Sequence, residues 1–352
     1  MTTHKPTLTV VVPVYNEEPC LGALHDRLEG LRRTLWPRAD VRFLFVDDGS
    51  RDGSLARLQA LAERHPHAGL IGLSRNFGHQ LAVTAGLDHA RTDYVAILDA
   101  DLQDPPEAIA PMLDLALQGH DVVYGVRRRR RGESLLKRAS AAAFYRVLNR
   151  LCDIEIPIDT GDFRLLSRRV ADTLRRMRER HRFLRGMVPW VGFRSIAYHY
   201  DRDERHAGRT KYPLRKMLTF AANGIMSFSS KPIVIGTRIG LLTVLAGIAG
   251  ALYMLYLKIF TDVPIPGLTA VLVTLVIFGG GQLLLTGLVG EYVARIFEES
   301  KGRPLYIVAG SRNLPLEAPA ASAGPPLGVP TFPAAAVRDR FPGVPTRPSR
   351  DS

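Results

Sequence analysis

Two rhythms of apolar and polar positions alternate along the first part of the chain. Leu8 to Val14 is a continuous apolar, β-branched run with polar residues on either side, the pattern of a buried strand. Leu21, Leu24, Leu28, Leu31 and Leu35 then recur at steps of three and four, the spacing of an amphipathic helix. Val41 to Val46 predicts a second strand and Ser54 to Glu63 its helix. Leu70 to Leu73 and His79 to Ala90 repeat the pair, as do Tyr94 to Leu98 and Glu107 to Leu117. Asp121 to Val126 predicts a fifth strand. Strands and helices alternate with short connections, so the expected fold class is α/β, a mostly parallel sheet with helices on both faces.

Later the pattern changes in kind. Ile239 to Leu257 carries no charge, and neither does Gly267 to Gly290, where Gln282 is the most polar side chain. Each matches the ~20 residues that cross a bilayer as a helix. The short link Lys258 to Pro266 makes them a two-helix transmembrane hairpin, with spans at about 233–257 and 267–290. A pair of buried core helices is the alternative. Arg209, Lys211, Arg215, Lys216, Lys231 and Arg238 precede the first span, and Arg295, Lys301 and Arg303 follow the second. The loop holds only Lys258, so the positive-inside tendency puts both termini and the head in the cytoplasm. The expected location is the cell membrane, as a multi-pass protein.

These patterns divide the chain into a head at 1–211, an amphipathic juxtamembrane segment at 212–232, the hairpin at 233–290, a cytoplasmic helix and extension at 291–309, and a tail at 310–352. Leu214, Met217, Leu218, Phe220, Ile225, Met226 and Phe228 against Arg215 and Lys216 suit an interfacial segment, with a core helix of the head as the alternative. The tail is rich in Pro and Ala and has little apolar periodicity, which reads as disorder. Gly279-Gly280-Gly281 permits close helix approach within one chain or in a homo-oligomer. Met1 to Thr9 is polar and has no signal-peptide core.

Charge narrows the choice of partner. The 352 residues carry 47 Lys and Arg against 34 Asp and Glu, a formal net charge of +13. Arginines cluster at Arg127 to Arg131 and between Arg164 and Arg185. Such a surplus selects anionic partners: phosphates, an anionic membrane surface or nucleic acid. Cys20 and Cys152 have no metal-ligand spacing, and two cysteines do not make a disulfide scaffold.

Open α/β sheets bind ligands outside the carboxyl ends of their strands. Here those ends read Tyr15-Asn16-Glu17-Glu18, Asp47-Asp48-Gly49-Ser50, Ser74-Arg75-Asn76 and Asp99-Ala100-Asp101. Each taken singly is an ordinary turn or cap, but four successive polar ends converge on one sheet edge. Asp99 and Asp101 offer hard oxygens suited to Mg²⁺ or Mn²⁺, and Pro105-Pro106 stops the strand. No Gly-x-Gly-x-x-Gly follows the first strand, and there is no Walker-type loop. His79, His89 and His206 have no metal-like spacing and are read as structural.

Val12-Pro13-Val14-Tyr15-Asn16-Glu17-Glu18, Val46-Asp47-Asp48-Gly49-Ser50, Ser74-Arg75-Asn76-Phe77-Gly78 and Asp99-Ala100-Asp101-Leu102-Gln103-Asp104 together resemble the GT-A fold of family 2 glycosyltransferases. The resemblance is greatest to polyprenyl-phosphate sugar transferases, such as dolichol-phosphate mannose synthase and bactoprenol glucosyltransferases, and runs from Leu8 to Val308. It implies that Pro13, Tyr15, Glu17, Asp47 and Asp48 line the nucleotide pocket with Arg75 nearby. It implies further that Asp99, Asp101 and Gln103 hold the metal and the donor diphosphate. Arg127, Arg138, Arg205 and Lys211 become ligands of the acceptor phosphate, although Arg127 to Arg131 also reads as a solvated or membrane-facing patch. Asp162, in Asp159-Thr160-Gly161-Asp162-Phe163-Arg164-Leu165, falls below the reacting sugar; a helix cap or an arginine partner is its plainer reading.

The expected activity is therefore an inverting, metal-dependent transfer of a hexose, with UDP-glucose the favoured donor, onto polyprenyl (undecaprenyl) phosphate. Asp99, Asp101, Asp162 and Arg127 are the expected catalytic residues. The partners are a nucleotide sugar, the lipid phosphate and membrane lipid, with no nucleic acid. Mannose, galactose, N-acetylhexosamine or aminoarabinose donors are alternatives within the same reaction. A processive polysaccharide synthase is disfavoured because Gln-x-x-Arg-Trp is absent. A non-catalytic membrane scaffold has no need of acids at successive strand ends.

Overall fold

The computed structural model describes residues 5–127, 160–201, 231–260 and 267–314. Arg138, Arg205 and Lys211, the juxtamembrane segment at 212–230 and the chain beyond 314 lie outside the described residues.

The alternating elements fold as the periodicity predicts. Strands β1 (Thr7–Val14), β2 (Asp40–Asp47), β3 (Ala68–Leu73) and β4 (Tyr94–Ile97) are separated by helices α1 (Leu21–Leu35), α2 (Ser54–Arg64) and α3 (His79–His89). A short 3₁₀ turn at Pro106–Ala108 leads into α4 (Ile109–Leu117), followed by β5 (Val122–Arg127). Next come β6 (Thr160–Ser167), α5 (Arg168–Arg176), α6 (Leu184–Trp190) and β7 (Ser195–Tyr200).

With β8 (Val308–Arg312) from the far end of the chain, the strands form one eight-stranded sheet in the order β7-β5-β6-β4-β1-β2-β3-β8. Its centre, β4-β1-β2-β3, is parallel. Strand β6 lies antiparallel between β4 and β5, while β7 runs parallel to β5. The sheet is thus mixed, and the Asp159 to Leu165 stretch, where a helix cap is one reading of Asp162 from sequence, belongs largely to β6. Insertion of β6 brings its acidic residue beside β4.

Side chains alternate across the sheet as strand geometry demands. Val10, Val12 and Val14 face the core under α1, α2 and α4, which includes Leu24, Leu28, Leu58 and Met112. Val11 faces the opposite core with Val83, Leu87, Val170 and Met187. Helix α3 approaches β1 so closely that a Cβ on Gly86 would stand 2.2 Å from Val11 Cγ1.

Two long helices follow, α7 (Lys231–Phe260) and α8 (Leu268–Ser300). Within them, Lys231–Leu257 and Ile277–Ser300 are long and apolar enough to cross a membrane, by length and composition. Large side chains such as Leu242 and Leu284 are exposed, unlike those of a buried core pair. The helices touch where Gly236 faces Leu285.

Helix α8 runs on to Ser300 and returns to the head. The Arg180 backbone N–H donates to Glu299 at 2.6 Å, and His181 pairs with Glu298 at 3.0 Å. The Tyr306 hydroxyl donates to Asp88 at 2.9 Å. Strand β8 (Val308–Arg312) then pairs antiparallel with β3. The expected start of the disordered tail at 310 therefore falls inside a strand. A Pro/Ala-rich composition downstream hides it, because a short edge strand needs a backbone partner more than apolar periodicity.

Candidate active site

The turns at the carboxyl ends of β1 to β4 are tied to one another. Asn16, in the left-handed region at φ 55°, accepts from the Arg51 N–H at 2.8 Å, and its own N–H donates to Ser50 Oγ at 3.0 Å. The Glu17 N–H donates to Ser54 Oγ at 3.0 Å, and the Gly53 N–H donates to Glu18 at 3.0 Å. Asp48 accepts from the Phe77 and Gly78 N–H groups at 2.7 and 2.9 Å and from the Asn76 amide at 3.0 Å. Its carboxylate thus fixes the entry to α3. Gly49 makes this possible: at φ +68° a Cβ there would lie 2.5 Å from the Arg75 carbonyl carbon.

Above these turns opens a cleft of about 410 Å³. Pro13, Tyr15 and Glu17 line one side, and Asp48, Asn76, Gly78 and His79 the next. Asp99 and Asp101 close it from β4. Asp47 and Arg75 are not among its lining residues. Asp47 is buried below and accepts from the Ser50 N–H at 3.2 Å, while the Arg75 guanidinium stacks 4.1 Å from the Phe77 ring centre. Gln103 also stands off the lining; its N–H donates to Asp101 at 3.2 Å. Leu102 between them adopts φ 60°, a strained conformation for a side chain of that size.

Beneath Asp99 lies a charged network that sequence reading did not assemble. His79 Nε2 is 3.5 Å from Asp99 Oδ1 and 3.2 Å from Asp162 Oδ2. Arg185 grips Asp162 with two donors at 3.0 and 3.1 Å, and the Gln80 amide donates to it at 3.3 Å. Arg164, buried, donates to the carbonyls of Gly161, Asp162 and Leu184 at 2.9, 3.2 and 3.3 Å. Burial lowers its pKa to about 10.

Protonation follows from this crowding. Burial would lower the His79 pKa, but its bond to Asp162 and the charges of Asp99 and Asp162 prevail and raise it to about 9. Burial would raise Asp162, yet His79 and Arg185 hold it well below the usual carboxylate range. Asp99 is raised to about 6 by burial and by the neighbouring Asp162, Asp104 and Asp101, against the pull of His79. The balance favours an anionic Asp162 and a cationic His79 at neutral pH.

A second network supports Arg127 at the end of β5. The Tyr200 hydroxyl donates to the buried Asp104, and Arg127 Nε donates to the same hydroxyl at 3.4 Å. An Arg127 terminal nitrogen lies 3.5 Å from Asp104.

The donor set fits a hard divalent cation. Asp99 Oδ1 is buried without a hydrogen bond, and Asp99 and Asp101 both face the cleft. Carboxylate oxygens of this kind suit Mg²⁺ and Mn²⁺.

Residues 9–175 match the profile of glycosyl transferase family 2. The glycosyltransferase YkcC of Bacillus subtilis is 46% identical over 306 residues, covering 87% of this chain and 94% of its own. The chain belongs to glycosyl transferase family 2. It is a glycosyltransferase, and its mixed α/β sheet is of the GT-A type. The bactoprenol glucosyl transferase of Shigella phage SfV is 36% identical over 306 residues, with 87% of this chain and 99% of the relative covered. Among solved structures, the mannosyltransferase PcManGT from Pyrobaculum calidifontis, in complex with GDP-Man and Mn²⁺, aligns at 20% identity with a TM-score of 0.40, covering 84% of this chain and 87% of that one.

Within this family member the structure brings together Pro13, Tyr15, Glu17, Asp48, Asp99 and Asp101 around one cleft, with Asp162 directly below. His79, read from sequence as structural, is corrected: it lines the cleft between two acids. The signal was available, since His79 begins the helix after the third polar strand end. Arg164 and Asp104 stood in the quoted motifs and Arg185 in the arginine cluster without an assigned role, and Tyr200 gave no signal, because its partner Asp104 lies far along the chain.

Proposed function

We propose that this glycosyltransferase moves a hexose from a nucleotide sugar, UDP-glucose, to the phosphate of a polyprenyl phosphate at the membrane surface. The observation that carries the proposal is the match to bactoprenol glucosyl transferases over nearly their entire length, apolar helices included: the relative from Shigella phage SfII is 36% identical with 98% of its chain covered.

In this reading α7 and α8 cross the membrane, both chain ends are cytoplasmic, and the head rests where the acceptor phosphate emerges from the bilayer. The nucleotide lies in the cleft against Pro13, Tyr15 and Glu17. Asp48 acts through the backbone it holds, and Asp47 and Arg75 support the turn. Asp99 and Asp101 present oxygens for Mg²⁺ or Mn²⁺, and the charge neutralisation such an ion supplies falls on the leaving diphosphate. Gln103, whose backbone N–H holds Asp101, joins them at the metal and diphosphate site.

The attacking group is an oxygen of a phosphate monoester, whose second pKa is near ~6. At neutral pH it is largely a dianion and requires no strong base. Its oxygen forms the new bond to the anomeric carbon as the bond to the diphosphate oxygen breaks, and the nucleoside diphosphate leaves with the electron pair. Attack opposite the leaving group inverts the anomeric centre. Arg127, held by Asp104 and Tyr200, grips the acceptor phosphate, with Arg138, Arg205 and Lys211 as further cationic ligands. Asp162, already neutralised by His79 and Arg185, orients rather than deprotonates.

The test uses purified protein in detergent with undecaprenyl phosphate, Mg²⁺ or Mn²⁺ and a panel of labelled nucleotide sugars. Label is expected to enter the organic phase from UDP-glucose, and Asp101→Ala should abolish the transfer. Transfer from a different donor alone overturns the sugar assignment; transfer from none overturns the acceptor.

A further inference from the structure

A second group of ligand-type side chains lies apart from the cleft. His25 and Glu29 are one turn apart on α1 and share a face. Helix α2 ends at Arg64, and His65 leaves it in an extended conformation at φ −126°, ψ 99°. Pro66 enforces that conformation on the residue before it. In an extended segment positions two apart face one way, so His65 and His67 both turn towards α1.

The four side chains meet. One ligand atom from each of His25, Glu29 and His65 lies within 4.8 Å of the others. The His25 and His65 ring centres are 4.5 Å apart, and those of His65 and His67 are 5.5 Å apart. His67 Nε2 is hydrogen-bonded to Glu29 Oε1. His25 is only 8% exposed, and its Nδ1 is buried without a hydrogen-bond partner. A buried imidazole with an unpartnered nitrogen, in a residue that offers a ligand atom to the same trio, calls for a partner that packing alone does not supply.

We infer that His25, Glu29 and His65 form a binding site for a Zn²⁺-class cation, with His67 orienting the Glu29 carboxylate. Two imidazole nitrogens and a carboxylate are ligands that Zn²⁺ takes readily, whereas Mg²⁺ prefers an all-oxygen set. Bonds of about 2.0–2.1 Å place tetrahedral ligand atoms about 3.3 Å apart. Binding therefore requires the Glu29 and His65 side chains to draw in from their present spacing of up to 4.8 Å. The ion clips α1 to the turn between α2 and β3, which enters the sheet at the end of the parallel strands opposite the polar turns. None of these residues lines the cleft, so the site is separate from any ion held by Asp99 and Asp101.

The experiment uses the full-length protein in detergent, without a histidine tag, stripped by chelator and then held in excess Mg²⁺. Zn²⁺ binding is followed by equilibrium dialysis and by melting temperature, and Co²⁺ is added as a spectroscopic probe. One equivalent of Zn²⁺, a raised melting temperature and the visible absorption of nitrogen-ligated Co²⁺ are expected in the wild type and in Asp101→Asn. His65→Gln should lose all three, and His67→Gln should bind 10–100-fold more weakly, the usual scale for an orienting partner. Circular dichroism identifies a variant that has merely unfolded. Undiminished Zn²⁺ binding in both His variants overturns the inference, as does loss of the Zn²⁺ in Asp101→Asn with retention in His65→Gln.

Discussion

His79 Nε2 stands 3.2 Å from the Asp162 carboxylate, joining the first turn of α3 to β6. Asp162 also receives Arg185, and Arg164 lies 3.9 Å from it in the interior. Asp162→Asn therefore leaves buried positive charge without its counter-ion. Removing one partner of a buried pair costs about 3–5 kcal/mol. The expected result is a marked fall in melting temperature together with turnover reduced by at least ~10²-fold, the scale of a small misplacement at a reacting centre. Arg185→Gln should destabilise less, because its side chain is 29% exposed and water compensates. Equal effects of the two substitutions would contradict this account.

Tyr200→Phe tests the support of Arg127. The phenol donates to Asp104, whose other oxygen is buried without a partner. Loss of the donor leaves a poorly satisfied carboxylate, at a cost of about 1–3 kcal/mol. Arg127 keeps its charge but loses one anchor. A raised KM for the lipid phosphate with unchanged KM for the nucleotide sugar is expected from initial rates with each substrate varied in turn.

Gly49→Ala tests the geometry of the turn. The added carbon would meet the Arg75–Asn76 backbone at 2.5–2.9 Å, in a conformation L residues adopt at a cost of roughly 1–2 kcal/mol. The loop that Asp48 organises has to shift, and Asn76 and Gly78 line the cleft. Calorimetric titration should show weakened nucleotide binding, with the helical content seen by circular dichroism retained.

The docking of the chain after α8 has a pH dependence of known sign. His89 packs beside Tyr306 at 6.4 Å between ring centres, and its Nδ1–H donates to the Ala85 carbonyl at 2.8 Å. Burial lowers its pKa from the ordinary value of 6.5. The unfolded chain thus takes up a proton at a pH where the folded chain does not. The His89 contribution is complete above about pH 6.5 and declines as pH falls towards the folded pKa. Melting temperature should fall less between pH 7.5 and 5.5 in His89→Gln than in the wild type. An unchanged slope would mean that His89 is not the titrating group.

Much of this protein is determined by local sequence. The alternation of Val10, Val11 and Val12 between two cores, the leucine stripe of α1 and the charge-free stretches within α7 and α8 are periodic, and periodicity is readable without a partner. So are the polar ends of β1 to β4, because parallel sheets gather successive strand ends at one edge. Tertiary structure alone decided which of those polar groups face the cleft. Asp47 and Asp48 are adjacent and both buried, yet only Asp48 lines the pocket. It also decided that β6 enters antiparallel beside β4, which carries Asp162 to within reach of His79 and Arg185. Likewise β8 closes the sheet on β3 after a long excursion through two apolar helices. Pairings of this kind join positions far apart in the chain. Their energy comes from backbone ladders and buried charge contacts that exist only once the sheet has formed, so no local pattern announces them.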